Sequence, residues 1–233
     1  MQENMNKFSI LTICTENYGD AINFSPPSWL RLKSMEKIYI YSDFDLQYPD
    51  DRVIILNEIK KTDDWLEVVG LKPEILNRFI RTYSVVDFVF IDIDCYITDD
   101  ISEVFDNDFD IAPTRMNVKN VSANNGVFFC RNNNHLIQFI QEWMLLQTKY
   151  IEKSIGVKQY APSYSQLSFS EILHRELHNK TYLNVFPLSA SVYNNEADLE
   201  DDWLKKIKHT KYKILHFKGR RWRNEELVRK ILG

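Results

Sequence analysis

The stretch Phe88-Val-Phe-Ile-Asp-Ile-Asp94 decides the fold. Four apolar residues in unbroken succession read as a strand covered on both faces, as in the middle of a mostly parallel α/β sheet. Asp92 and Asp94 then stand where that strand leaves the core. Side chains alternate along a strand, so residues two apart point the same way and both carboxylates face one small volume of the rim. Open α/β sheets bind ligands there, at the carboxyl ends of their strands. Carboxylates this close repel one another and are costly to desolvate unless a cation or a proton compensates. Hard oxygen donors suit Mg2+ or Mn2+, ions that commonly keep substrate phosphates in their remaining positions. An isolated Asp-x-Asp also recurs by chance as two solvated acids opening a loop, so its surroundings have to decide.

Upstream, Lys72 to Tyr83 has helical spacing, with Pro73 in the first turn and Ile75, Phe79, Ile80 and Tyr83 on one face. Its cations Lys72, Arg78 and Arg81 are either phosphate partners or ordinary surface charges. Phe8 to Cys14 is apolar and β-branched enough to be the first strand. The loop after it, Thr15 to Asp20, falls on the same rim if that strand is central. Thr15, Asn17 and Tyr18 are therefore candidate nucleotide contacts, with Tyr18 either stacking on a base or lying on the surface. Ser28 to Ser34 is expected as a short helix, and Lys37 to Tyr41 and Arg52 to Leu56 as further strands.

Downstream, Cys95 to Thr98 continues extended, and Asp99 or Asp100 caps a short helix through Phe105. Phe109 to Pro113 reads as a strand, Arg115 to Asn125 as a polar loop, and Gly126 to Cys130 as another strand. A glycine opening a strand beside Asn124 and Asn125 fits either a close backbone approach or a turn. Leu136, Phe139, Ile140, Trp143, Leu146 and Tyr150 mark one long amphipathic helix, capped by an asparagine among 132 to 134. Ser154 to Tyr164 is expected as a mobile loop. A second helix over Ser165 to Leu177 then places Gln166 in its first turn. Tyr182 to Phe186 and Tyr212 to His216 are the last expected strands. Asn194 to Trp203 reads as solvent-facing or a lid, and Asn224 as the cap of a final helix.

With 233 residues and 44 % hydrophobic content, the chain is long enough to bury one large core, and residues 1–233 read as a single domain. No segment approaches the ~18 apolar residues of a membrane span, and the N-terminus lacks a secretory apolar run, so the reading is a soluble cytoplasmic protein. Cys14, Cys95 and Cys130 have no metal-ligand spacing and read as reduced packing residues. The net charge of −4 hides an asymmetry: from Lys205 onward 11 Lys and Arg face two acids, so the rest of the chain is strongly acidic. Such a tail serves phosphates or the peripheral contact of an anionic membrane surface, or is a solvated face. Nucleic acid is not the expected partner.

Taken together, these motifs resemble the GT-A fold glycosyltransferases, and among them glycosyltransferase family 8 and its relatives. Phe90 to Phe105 resembles the family's strand, Asp-x-Asp and following short helix. Asn124-Asn-Gly-Val-Phe-Phe129 resembles its Asn-x-Gly-Val segment, and His216-Phe-Lys-Gly-Arg-Arg-Trp222 its C-terminal His-x-x-Gly motif. The resemblance implies a Rossmann-like GT-A domain, a central mixed, mostly parallel sheet flanked by helices. It implies a metal-dependent transferase using Mn2+ or Mg2+ and a nucleotide-diphosphate sugar, generally a UDP-sugar, with retention of anomeric configuration. Asp92, Asp94 and His216 are then the metal ligands, and Asn124 and Gly126 lie near the sugar or acceptor. Lys72, Lys218, Gly219 and Arg221 are the expected diphosphate contacts, and Gln166 joins Asp92 and Asp94 as a catalytic candidate. Two departures stand out. The family commonly has Lys-Pro-Trp after the glycine, where this chain has Arg221-Trp222. It often has Asp-Gln where this chain has Ser165-Gln166. A nucleotide-sugar-binding module without turnover uses the same residues. A phosphohydrolase of the haloacid dehalogenase type also opens with Asp-x-Asp, but Tyr96 occupies the place that fold fills with Thr or Val, and no later strand ends in a second acidic pair.

Overall fold

A computed structural model describes residues 6–61, 68, 70–118, 121–154, 164–196 and 211–232. Six strands form the central sheet: β1 (Phe8–Cys14), β2 (Met35–Ser42), β3 (Val53–Leu56), β4 (Asp87–Ile91), β6 (Ile111–Val118) and β7 (Val121–Arg131), in the order β3-β2-β1-β4-β7-β6. The first four pair in parallel, whereas β7 runs antiparallel to both β4 and β6. The sheet is thus mixed and mostly parallel, as the apolar run of β4 implies. A smaller sheet of β5 (Cys95–Ile97), β9 (Ile214–His216) and β8 (Asn195–Glu196) lies beside its rim.

Strand alternation sorts the core into two layers. Val89 and Ile91 face one side with Ile10, Ile38, Ile40 and Phe129, covered by Trp29 of α1 (Pro26–Trp29), the small sheet and Leu227 of α5 (Glu225–Leu232). Phe88 and Phe90 face the other side with Leu11 and Phe128, under α2 (Lys72–Thr82), α3 (Asn134–Ser154) and α4 (Tyr164–Asn179). Each fully buried side chain of this size contributes about 1.5–3 kcal/mol, which fixes β4 and hence the place where its acids emerge. Strand order reverses where β1 and β4 lie side by side in parallel, Leu11 opposite Phe90. Their carboxyl ends therefore share one crevice, the usual ligand site of such sheets.

Several local expectations need correction. The short helix near Ser28 is α1, because Pro26 and Pro27 sit inside its first turn, where their missing N–H groups cost nothing. Thr15 to Asp20 is not a plain loop: Glu16–Asn23 forms a 3-10 helix. The polar stretch expected as a loop is extended where it is described: 115–118 continue β6 and 121–125 belong to β7, with Arg115 opposite Ala123 and Val118 opposite Val121; ladder bonds come from the backbone and do not need apolar side chains. Tyr182 to Phe186 makes one isolated bridge beside β6, Val185 opposite Ile111, and Leu188 makes another opposite Thr114. Phe186 and Leu188 donate N–H groups to Ile111 and Pro113, but Pro113 has no N–H to return. Most of the loop expected at Ser154 to Tyr164, and positions 197–203 of the expected lid, lie outside the described residues.

Two expected helix caps are present, whereas Ile101 stands at the N-cap of the 3-10 helix Ser102–Asp106 and Asp100 Oδ1 accepts the Ser102 N–H at 2.7 Å from one residue earlier. Asn133 Oδ1 accepts the Leu136 N–H at 2.9 Å, opening α3, and Asn224 Oδ1 accepts that of Leu227 at 3.1 Å, opening α5. All three cysteines are buried and unpaired. No helix among the described residues is long and apolar enough to cross a membrane. Within the basic tail, Lys213, Lys218, Arg221, Arg223 and Lys230 each face a carboxylate, so the described part of it is not a bare positive patch.

Candidate metal and nucleotide site

The two aspartates meet through a turn rather than through strand alternation. β4 ends at Ile91; the Asp92 N–H then bonds Gly126 O at 2.8 Å, and the Cys95 N–H returns to Asp92 O at 3.1 Å. That turn swings Asp94 under β9, whose end is fixed by the antiparallel pairing of Cys95 with His216 and by the bond from Phe217 N–H to Asp94 O at 2.9 Å. His216 Nε2 consequently lies 3.0 Å from Asp94 Oδ1 and 3.8 Å from Asp92 Oδ2. Burial pushes the Asp94 carboxyl upward, but the His216 ring, through charge and hydrogen bonding, holds it below the usual carboxylate value. The other ring nitrogen, Nδ1, lies 2.8 Å from Asn194 Oδ1.

Gly126 is the close approach that its sequence context allowed. A Cβ built there would stand 2.6 Å from Asp92 Oδ2, 2.9 Å from Asn124 Oδ1 and 3.0 Å from His216 Cε1. Real Cβ atoms do not tolerate such distances, so only glycine leaves the acids and the imidazole room to converge. Lys72 is no exposed helix cation. It is buried, with Nζ 2.7 Å from Asp92 Oδ1, 3.1 Å from Asn125 O and over the Phe90 ring.

The donor set suits a hard divalent cation. Two carboxylates and an imidazole gather around a volume kept open by a glycine, and a cation there offsets the repulsion between the two carboxylates. Asp94, Cys95 and His216 also present ligand atoms within 4.8 Å of one another. The cysteine was unforeseen because sequence spacing ignores cross-strand pairing; opposition to His216 in the β5–β9 register is the signal that finds it. Burial holds its thiol neutral, well above the ordinary value, so it is a poor partner for Mg2+ or Mn2+.

Around this centre, Asn124 is buried and its Oδ1 accepts the Gly126 N–H at 2.6 Å. Gln166 is engaged at both ends of its amide: Oε1 accepts the Asn125 N–H at 3.0 Å, and Nε2 donates to Ala123 O. Across the crevice, Thr15 is buried at the end of β1, and Tyr18 packs against Trp222 with ring centroids 5.3 Å apart. Arg223 donates to both Asp20 oxygens at 2.5 and 2.7 Å and to Asn17 O at 3.4 Å, tying the first loop to the C-terminal 3-10 helix Lys218–Arg223. Gly219 lies in that helix. Lys218 and Arg221 reach Glu196 at 3.1 and 3.6 Å. Asn194, expected at the surface, is instead buried against His216.

Solved glycosyltransferase structures share this fold. The glycosyltransferase GlyE of Streptococcus pneumoniae TIGR4 superposes with a TM-score of 0.57 at 15 % identity, and its apo form with 0.58 at 16 %. Both alignments cover 98 % of this chain and 61 % of GlyE, so the chain spans about three fifths of the length of these structures. The family model for nucleotide-diphospho-sugar transferases matches residues 41–226, and the chain belongs to that family. No curated protein matches its sequence significantly.

Proposed function

We propose that residues 1–233 form one glycosyltransferase domain that moves a sugar from a nucleotide-diphosphate sugar, with uridine as its base, to an acceptor, using Mn2+ or Mg2+ held by Asp92, Asp94 and His216. The observation that carries this reading is the convergence of those three side chains beside Gly126. When bound, the cation supplies charge neutralisation for the departing nucleoside diphosphate. Lys72 keeps Asp92 aimed into the site, and Asn124 and Gly126 border the place for the sugar or acceptor. Thr15, Asn17 and Tyr18 receive the nucleoside, while Lys218, Gly219 and Arg221 face the diphosphate once Glu196 gives way. Gln166 acts by holding the backbone of β7, and so the level of Asn124 to Gly126, in place. Retention of configuration is the expected stereochemistry. Three buried, unpaired cysteines agree with a reducing, cytoplasmic setting.

The test is incubation with UDP-glucose, UDP-galactose or GDP-mannose, with and without Mn2+, followed by assay of nucleoside diphosphate. Release that needs Mn2+ and falls by about 100-fold or more in Asp94→Asn supports the transferase. Mn2+-dependent binding of UDP without release from any sugar donor identifies a binding module instead. A chain that neither binds nor hydrolyses these donors ends the proposal.

A further inference from the structure

The geometry points to Asn194 as the positioning residue that sets the tautomer of His216, with Thr114 as the group that sets Asn194. This rests on the metal-site reading above and adds residues which no motif in the chain marks. The assignment follows from hydrogen-bond roles taken in order from a fixed end. Val127 O is a carbonyl and can only accept, so Thr114 Oγ1, 3.1 Å away, donates its single proton there. That leaves the Thr114 oxygen as an acceptor for Asn194, whose amide lies 3.0 Å away, and the amide nitrogen must therefore face Thr114. Asn194 Oδ1 is then turned to His216, 2.8 Å from Nδ1, and Nδ1 must carry the proton. Flipping the amide would set its oxygen against a hydroxyl whose proton is already committed, and would leave that oxygen buried without a donor. All three side chains are buried, so water does not offer an easy alternative.

With Nδ1 protonated, a neutral His216 directs its Nε2 lone pair at the volume shared with Asp92 and Asp94. This is the orientation a metal-bound imidazole needs, and it is normally enforced by an acceptor on the other ring nitrogen. Thr114 is free for this duty because the β6–β7 register shifts between Pro113 and Thr114. Asn194 arrives through β8, which begins at the next residue and pairs with β9.

The experiment uses the full chain and two readouts. Long-range 1H–15N NMR of the His216 ring, recorded with Mg2+ and UDP added, should show the Nδ1–H tautomer in the wild type. Mn2+ affinity, measured by electron paramagnetic resonance of the free ion, should weaken roughly 10- to 100-fold in Asn194→Leu and less in Thr114→Val. Thr114→Ser keeps the hydroxyl and should restore wild-type affinity, which a loss of general packing would not allow. Equal Mn2+ affinity in a folded Asn194→Leu overturns the inference while leaving the metal site standing, whereas an Nε2–H tautomer in the metal-loaded wild type removes His216 from the ligands and overturns both. A wild-type chain that binds no Mn2+ overturns both.

Discussion

At the scale of single residues, the site depends on what is missing at position 126. Gly126→Ala introduces a methyl group 2.6 Å from Asp92 Oδ2, where either the carboxylate or β7 must move. The expected cost is about 1–3 kcal/mol in denaturant unfolding, and Mn2+ affinity should fall with it because the displaced atom is a proposed ligand. Lys72→Met leaves Asp92 Oδ1 and the Asn125 carbonyl without their shared donor. Losing it should cost about 1–3 kcal/mol, and adding Asp92→Asn should recover part of that, as a double-mutant cycle would reveal. The sequence announced the aspartates, the glycine and the histidine, because each ends or opens an apolar run. It did not announce Asn194 or Cys95, whose places depend on which strand lies opposite. Nor did it announce the burial of Lys72, since a cation in a helical first turn looks the same whether or not a carboxylate awaits it.

At the scale of elements, α4 is anchored by a carboxylate near its end. Glu176 is buried and accepts from the Thr181 hydroxyl at 2.7 Å, from the backbone N–H groups of Thr181 and Tyr182 at 3.1 and 3.3 Å, and from Arg175. Burial raises its pKa, but the Thr181, Tyr182 and Arg175 hydrogen bonds outweigh it and leave the carboxyl below its ordinary 4.5. A folded-state value below the unfolded one contributes stability that is present above about 4.5 and is lost as pH falls through the lower, native value. Glu176→Gln should therefore cost about 1.5–3 kcal/mol near neutral pH, and the gap to wild type should close on acidification; a gap independent of pH would contradict this account. Elements were legible where periodicity was unbroken: β1 and β4 follow from their apolar runs, and α3 from its stripe, of which Leu136, Phe139, Ile140 and Trp143 are fully buried. The strand character of 115–118 and 121–125 was not legible, because ladder bonds come from the backbone and a polar stretch carries no alternating hydrophobic pattern.

At the scale of the whole molecule, the crevice joins segments remote in sequence. The first loop meets the C-terminal 3-10 helix through Tyr18 with Trp222 and Asp20 with Arg223, while Asp92 and Asp94 meet His216 beneath them. The order of strands around β1 was legible only as a class, since parallel neighbours are chosen by packing of both faces rather than by any one strand. A ligand that bridges these segments favours the folded state over an unfolded chain in which they are far apart. At a hundred times its dissociation constant, such a ligand adds about 2.7 kcal/mol, which for a chain of this size corresponds to a rise in Tm of roughly 5–10 °C. UDP with Mn2+ should produce a shift of this order, and either component alone a smaller one. Hydrogen exchange should slow in Glu16–Asn23 and Lys218–Arg223 together, because Tyr18 packs on Trp222 and Arg223 pairs with Asp20 across the two segments. In Asp94→Asn the Mn2+-dependent part of the shift, measured against that variant's own unliganded Tm, should vanish. A shift that persists there, or protection confined to one of the two segments, would mean the nucleotide sits somewhere other than beside them.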